Sequence, residues 1–502
     1  VRIENTAAKA KEQKRRNKYL RWRISVKQYV PPETTGAAFG IDASLRISVN
    51  DRRRSGMKRT LYQHYRVSPP LSFIFSFLIF SLLTLCLLLS SPSSARADLA
   101  AYLSKPEKAY TWHKSGVLKV TGGTIYDLRM TSQTWQGKNW QHRIQIFIPD
   151  KIKHPEFCVL LNTGGSGSKE ETMLGITAAK MAGSVFAILY NIPNQPLYGG
   201  LTEDALVVYT WQKYLETGDE SWPLHFPMAK AVIKAMDTIQ SLATAENLPG
   251  IQEFLITGAS KRGWTTWLAG ASGDKRIKAI APMVIDTLNL PAQVPHQLAA
   301  YGKPSEEVDD YTKANMAAKL STKEGQRLIQ LEDPYSYRDK LTLPKLLILG
   351  TNDRYWTQDA LNLYWDDLKG PKWVLYDPNS GHGLEDRLRM LNTLSAFARS
   401  IASHTPWPKM KWTYQEANGG VQSTLRSDVK PQSARLFRAE AKTQDFRDSK
   451  WTSEELKAMG GVYTARLKPP KSGYAASFTE ATYSIGGKTF TLSTQIKIVA
   501  AK

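Results

Sequence analysis

The chain has 502 residues, too many for one ordinary domain, so two or three units are expected. With 42% apolar residues, 14 Trp and 22 Tyr it has the material for a large core, which excludes global disorder. The formal charge of +22 is uneven: residues 1–97 hold 18 of the 67 Lys and Arg but only 5 of the 45 Asp and Glu. Most of the basic excess therefore lies outside the candidate globular body. With no zinc-finger, RNA-binding or Walker-type motif beside it, this distribution gives no support to a nucleic-acid partner.

The amino end reads as an export element. Lys58, Arg59 and Arg66 after Met57 precede an apolar run from Leu71 to Leu89, and Ala95-Arg96-Ala97 supplies an Ala-x-Ala cleavage site before Asp98. The expected division is an upstream, disordered extension at 1–56 and a signal peptide at 57–97. The alternative is an uncleaved anchor, since 71–89 is long enough to span a bilayer; membrane contact is expected only there. An exported product, periplasmic or extracellular, follows. Cys86 lies in the apolar run and Cys158 is the only cysteine after it, so neither an intrachain disulfide nor a cysteine metal cluster is expected. The apolar neighbours Phe157, Val159 and Leu160 mark Cys158 as a core thiol.

From about 115 to 400 short apolar runs alternate with helical segments. Strands are expected at 117–122, 142–149, 157–162, 184–190, 252–257, 277–284, 344–350 and 372–377, with helices at 228–242, from 262, at 359–368 and at 384–401. This pattern predicts an α/β fold, a mostly parallel central sheet with helices on both faces. The stretch 287–335 breaks it, carrying Pro291, Pro295, Tyr301, Pro304 and Tyr311 and a helical patch near 312–330. Its position suits a cap over an active site; a surface excursion without substrate contact is the alternative. Beyond Pro406-Trp407-Pro408, alternating segments at 461–467, 474–478 and 489–494 with a hairpin at Gly486-Gly487 predict a small C-terminal β-sandwich. The expected domains are 98–405 and 406–502.

The chemistry centres on Gly258-Ala259-Ser260-Lys261-Arg262-Gly263, between the run Phe254-Leu255-Ile256-Thr257 and a helix. A serine at a sharp strand-to-helix turn is presented as a nucleophile, beside a helix N-terminus that favours developing negative charge. The pattern is G-x-S-x-x-G rather than G-x-S-x-G, and Gly/Ser turns also act as plain N-caps. Serine needs a base, and the base an orienting acid. His382 stands in the loop after the last strand and Asp353 after Leu346-Leu347-Ile348-Leu349-Gly350. The order Ser260, Asp353, His382 is the α/β-hydrolase order; Asp286 is the alternative acid and His296 the alternative base. The N–H of Lys261, with Gly164 or Gly165 of the loop after the third strand, is expected to form the oxyanion hole. The charge of Lys261 or Arg262 would either hold an anionic substrate or be solvated or bonded to a carboxylate of the protein, the latter alternative favoured for Arg262. Asn194, Gln195, Glu203 and Asp204 either shape the substrate pocket or fix loop geometry. Trp264 and Trp267 are expected in the core. No H-E-x-x-H, facial-triad spacing or dinucleotide fingerprint appears, so no metal or organic cofactor is implied.

Several runs resemble the PhoPQ-activated pathogenicity-related proteins of the PqaA type: Asn191-Ile192-Pro193-Asn194-Gln195-Pro196-Leu197, Glu203-Asp204-Ala205, the stretch from Gly258 to Trp267, Asp286-Thr287-Leu288-Asn289, Asp333-Pro334 and Asp377-Pro378-Asn379. They lie in order across most of 110–400. The resemblance implies an exported protein of α/β-hydrolase fold and strengthens Ser260. The family's name describes regulation and virulence, so no substrate comes with it. The basic residue after serine and the S-x-x-G spacing also resemble glucuronoyl esterases, where that residue helps the oxyanion hole, a short likeness pointing to carbohydrate esters. The expectation is a serine esterase acting on a small-molecule ester or amide. A non-catalytic secreted binding or signalling protein on the same scaffold and a serine peptidase are the alternatives.

Overall fold

The computed structural model describes residues 98–417 and 420–501. The upstream extension, the apolar run 71–89 and Cys86 lie outside the described residues. Among the described residues no helix is long and apolar enough to cross a membrane.

The body opens with a short helix, α1 (Leu99–Ser104), N-capped by Asp98, then the strands β1 (Thr111–Val120), β2 (Gly123–Trp135) and β3 (Lys138–Pro149). Where one strand is expected at 117–122, the structure has an antiparallel hairpin, with Thr121 and Gly122 as its turn and φ of 91° at Gly122. β1 is an exposed edge, so its sequence carries little of the alternation that marks a half-buried strand. There follow β4 (His154–Asn162), α2 (Lys169–Ala182), β5 (Ser184–Leu189), α3 (Glu203–Thr217), α4 (His225–Ala245), β6 (Glu253–Ala259), α5 (Lys261–Ala271) and β7 (Ile277–Met283). The cap contributes α6 (Leu290–Tyr301), α7 (Asp309–Lys313), α8 (Met316–Leu320) and α9 (Lys323–Glu332); β8 (Lys345–Gly350), β9 (Lys372–Asp377) and α10 (Arg387–Ala402) close the body.

The strands run in the order β1-β2-β3-β5-β4-β6-β7-β8-β9, antiparallel as far as the β3–β5 pair and parallel from β5 to β9. Parallel strands need both faces covered. In β4, Cys158 and Leu160 enter the core under α3, α4 and α5, while Phe157 and Val159 enter the core under α2 and α10. Cys158 is a free, fully buried thiol whose pKa burial drives upward. The helical patch at 312–330 is realised as three short helices, broken at Asn315, which has a φ of 53°.

The helix expected at 359–368 does not form; a single 3-10 turn, Ala360–Leu363, stands there. Leu361, Tyr364, Trp365 and Leu368 have helical spacing and are all buried, which explains the expectation. The Leu363 carbonyl, which a helix would use, instead accepts from Asn289, and Lys372 Nζ donates to the carbonyls of Trp365 and Leu368 at the far end of the segment.

The C-terminal strands are β10 (Met410–Ala417), β11 (Gly420–Ser427), β12 (Ser433–Ala441), β13 (Thr452–Leu456), β14 (Ala458–Met459), β15 (Val462–Leu467), β16 (Tyr474–Ile485), β17 (Lys488–Ser493) and β18 (Lys497–Ala500). They form two layers. One, β10-β11-β15-β14, is separate; the other joins the central sheet where Ser493 of β17 pairs with Val374 of β9, extending it to 14 strands. The Gly486-Gly487 hairpin is present, both residues having positive φ as a two-residue turn requires.

Candidate active site

The turn after β6 is strained in the way a nucleophile elbow demands. Ser260 has φ 58° and ψ −125°, a conformation costing about 1–3 kcal/mol that persists only when its surroundings over-determine it. Its N–H donates to the Met283 carbonyl at 2.9 Å, and its own carbonyl accepts from Trp264 at 2.9 Å. A Cβ at Gly258 would lie 2.5 Å from Asn162 Nδ2 and 2.7 Å from the Arg262 carbonyl; one at Gly263 would lie 2.7 Å from the Met283 carbonyl. The close approach of α5 to β7 thus requires glycine at 263 rather than 262, which accounts for the G-x-S-x-x-G spacing. Trp267 is buried in the core as expected, and so is Trp264, which also reaches a cavity wall.

Arg262 occupies the freed position, with its side chain turned inward. Its Nε donates to the Ile192 carbonyl, and its two terminal nitrogens donate to Glu203 at 2.7 and 2.8 Å. A Cβ on Gly164 would lie 2.0 Å from this guanidinium, so the glycine makes room for Arg262. Gly165 uses its carbonyl to accept from Asn191 at 2.9 Å. Burial would raise the Glu203 carboxyl, but Arg262, Gln195 and Lys261 together hold it down at about 2. Lys261 Nζ donates to Asp204 at 2.9 Å, and Asp204 also accepts from the hydroxyls of Tyr311 at 3.1 Å and Tyr355 at 3.4 Å. Gln195 bonds both the N–H and the carboxylate of Glu203, and Asn194 bonds the main chain of Gln141 in both directions. The two cations that suggested an anionic substrate are therefore neutralised inside the protein.

His382 Nδ1 and Asp353 Oδ2 are 2.8 Å apart; the other carboxylate oxygen accepts from the Tyr355 N–H at 3.0 Å. Among the described residues, Ser260 included, His382 Nε2 has no hydrogen-bond partner. Tyr355, which sequence reasoning passed over, packs its ring 4.4 Å from the imidazole. The only signal for it was its place two residues beyond the acid. The C-terminal layers reach both loops: Asn352 donates to the carbonyls of Arg447 and Ser449, and Asn379 makes two bonds to the Trp451 main chain.

Ser260 and Lys261 line a cavity of about 230 Å³ beneath the cap, with Asp204, Trp211, Trp264, Tyr311, Met316 and Tyr355 among its walls. The stretch 287–335 therefore covers this cavity. Gly164, Gly165, Asn194, Gln195, Glu203 and His382 are not among its lining residues. The alternative base, His296, is bonded instead to Asp359 at 2.8 Å. Among the described residues no three His, Cys, Asp or Glu side chains gather as metal ligands.

Asp286, the alternative acid, is fully enclosed and accepts from the Tyr364 hydroxyl at 2.6 Å. Burial raises it to about 7, with the nearby Asp353 charge adding and the Tyr364 bond opposing. In the unfolded chain the group ionises near 3.8. Between about pH 4 and 7 the folded state keeps a proton that the unfolded state has released, so stability falls as pH rises, by on the order of 4 kcal/mol in all. Asp286→Asn should remove that fall. Urea unfolding at pH 5 and pH 8 should show a smaller loss for the variant, by about 2–3 kcal/mol; equal losses would show that Asp286 does not titrate in this window.

The strand order and the strained serine turn define an α/β-hydrolase fold. The chain belongs to the PhoPQ-activated pathogenicity-related protein family, whose model matches residues 99–447. Autocrine proliferation repressor protein A of Dictyostelium discoideum is 31% identical over 443 residues, covering 80% of this chain and 89% of that protein. Among solved structures, acetyl xylan esterase 1 from Thermoanaerobacterium is similar over 60% of this chain and 92% of its own, with 16% identity and a TM-score of 0.42. An S-formylglutathione hydrolase from Agrobacterium tumefaciens is similar over 59% and 100%, with 14% identity and a TM-score of 0.40.

Proposed function

We propose that this protein is an exported serine hydrolase that cleaves small-molecule esters, and amides less readily. The observation that carries the reading is the asymmetry of His382: Nδ1 is held by Asp353 at 2.8 Å while Nε2 has no partner among the described residues. That tautomer and orientation are what a general base for serine requires. In this reading Ser260 Oγ attacks the carbonyl carbon as His382 Nε2 takes its proton, the hydroxyl–imidazole bond tightening when substrate binds. The N–H groups of Lys261 and of Gly164 or Gly165 receive the oxyanion, His382 protonates the departing alcohol, and water hydrolyses the acyl-serine by the same route. Asn194, Gln195, Glu203 and Asp204 set the loop and elbow geometry through the bonds described above. Export rests on the basic and apolar segments ahead of Ala97.

A fluorophosphonate probe should label the wild type at Ser260 and leave Ser260→Ala unlabelled; undiminished labelling of the variant would end the proposal. A second reading, a secreted signalling protein on the hydrolase scaffold, draws on the Dictyostelium relative, named an autocrine proliferation repressor. Full biological activity in a folded Ser260→Ala variant would favour that reading.

A further inference from the structure

We infer that the cavity under the cap is an acyl pocket for uncharged, medium-length aliphatic or arylalkyl groups; the inference rests on Ser260 being the nucleophile. Ser260 stands in its wall, and its inner face is formed by the buried Trp211, Trp264, Ile285 and Met316. At the rim Val294 and Leu298, one turn apart on α6, are 38% and 43% exposed. Among the described residues the only charged ones that line it, Lys261 and Asp204, are paired at 2.9 Å. Gln293 and Gln297 turn their amide nitrogens to main-chain carbonyls, of Leu288 and Tyr355. Thr287, Thr312 and Asn315 also line the space, Thr312 donating to the Val308 carbonyl, and the rest of the wall is predominantly apolar, which disfavours a carboxylate or a sugar there.

The side of the ester that enters follows from the position of the acid. The leaving alcohol must receive its proton from His382, which does not line the cavity; Tyr355 does, and packs against the imidazole. The alcohol therefore departs on the His382 side and the acyl group occupies the cavity. An apolar cavity of about 150 Å³ accommodates benzene, six carbons. A space of about 230 Å³ accordingly holds an acyl group of about nine carbons. This places the preference away from both the carbohydrate esters and the anionic substrates that the sequence around Lys261 suggested.

The test is kcat/KM of the full exported chain on p-nitrophenyl acetate, hexanoate, octanoate and hexadecanoate, together with methyl octanoate against octyl acetate. Each buried methylene is expected to multiply kcat/KM about fourfold. Octanoate should exceed acetate by at least about 100-fold and hexadecanoate should fall away. Methyl octanoate should exceed octyl acetate, and Val294→Trp should lower the octanoate-to-acetate ratio at least about tenfold. An active protein that prefers acetate, is indifferent to chain length or prefers octyl acetate would overturn the pocket assignment while leaving the hydrolase intact. No turnover of any ester, with no fluorophosphonate labelling, would instead remove the hydrolase reading itself and this inference with it.

Discussion

Asp353→Asn should lower kcat about 10⁴-fold with little change in KM, because it removes an interaction made fully only in the transition state. The Asp353 side chain is 5% exposed, with one carboxylate oxygen 2.8 Å from His382 Nδ1 and the other on the Tyr355 N–H at 3.0 Å. An asparagine in that place keeps one acceptor. Held on the Tyr355 N–H, that oxygen leaves the amide NH₂ facing His382 Nδ1, which must then be the unprotonated nitrogen. The proton moves to Nε2, and the base can no longer take the serine proton. Asp286 is poorly suited to substitute: it is committed to Tyr364 and its carboxyl sits near 7, so it is about half neutral at neutral pH. Asp286→Asn should therefore cost less than about tenfold in kcat, and the contrast between the two variants assigns the acid. The measurement is steady-state kinetics on the preferred ester, with far-UV circular dichroism to verify folding. A fall of less than tenfold in Asp353→Asn, or an equal fall in both variants, would refute Asp353 as the orienting acid.

The sheet from β4 to β9 was legible because its strands are buried on both faces and read as unbroken apolar runs. The order of Ser260, Asp353 and His382 along those strands was legible for the same reason. Of the hairpin, only the end of β1 was legible, at 117–120; β2 was passed over, because its apolar residues are interrupted by the polar Asp127, Arg129, Ser132 and Gln133. The segment 359–368 misled through helical spacing: its apolar residues are buried at that spacing although only a 3-10 turn forms, and its Leu363 carbonyl is taken by Asn289, 74 residues away in sequence. The roles of the basic residues after Ser260 divided similarly. For Arg262 a solvated side chain or a bond to a protein carboxylate was expected; the carboxylate it meets, Glu203, lies 59 residues away at the first residue of α3. Local sequence also gave no hint that Gly164 serves Arg262, or that Tyr355 stands between the cavity and the imidazole. The C-terminal layers were read as β structure, yet their continuity with β9 depends on a single pairing, Ser493 with Val374, that no local pattern encodes.

Glu203→Ala should destabilise the fold by about 3 kcal/mol and disable the serine turn with it. The side chains of Arg262 and Lys261 are 8% and 9% exposed, whereas that of Glu203 is 42% exposed. Removing the carboxylate therefore strands a buried guanidinium whose remaining bond is to the Ile192 carbonyl. The full penalty for an unpaired buried charge is about 3–5 kcal/mol, and the partial exposure of Glu203 brings the expectation to its lower end. The same loss reaches function because Arg262 lies two residues beyond Ser260 and packs against Gly164 on the proposed oxyanion side. An unpaired Arg262 would seek water, pulling the first turn of α5 away from β7 and relaxing the φ of 58° that Ser260 holds. Arg262→Met in the Glu203→Ala background should restore much of the stability, since an apolar side chain of similar length carries no charge to bury. Restored stability without restored activity would separate the ion pair's structural part from its part in shaping the elbow. Urea unfolding supplies the first reading and fluorophosphonate labelling rate the second. If Glu203→Ala alone costs under about 1 kcal/mol, as an exposed surface pair would, the Glu203–Arg262 pair does not hold the elbow.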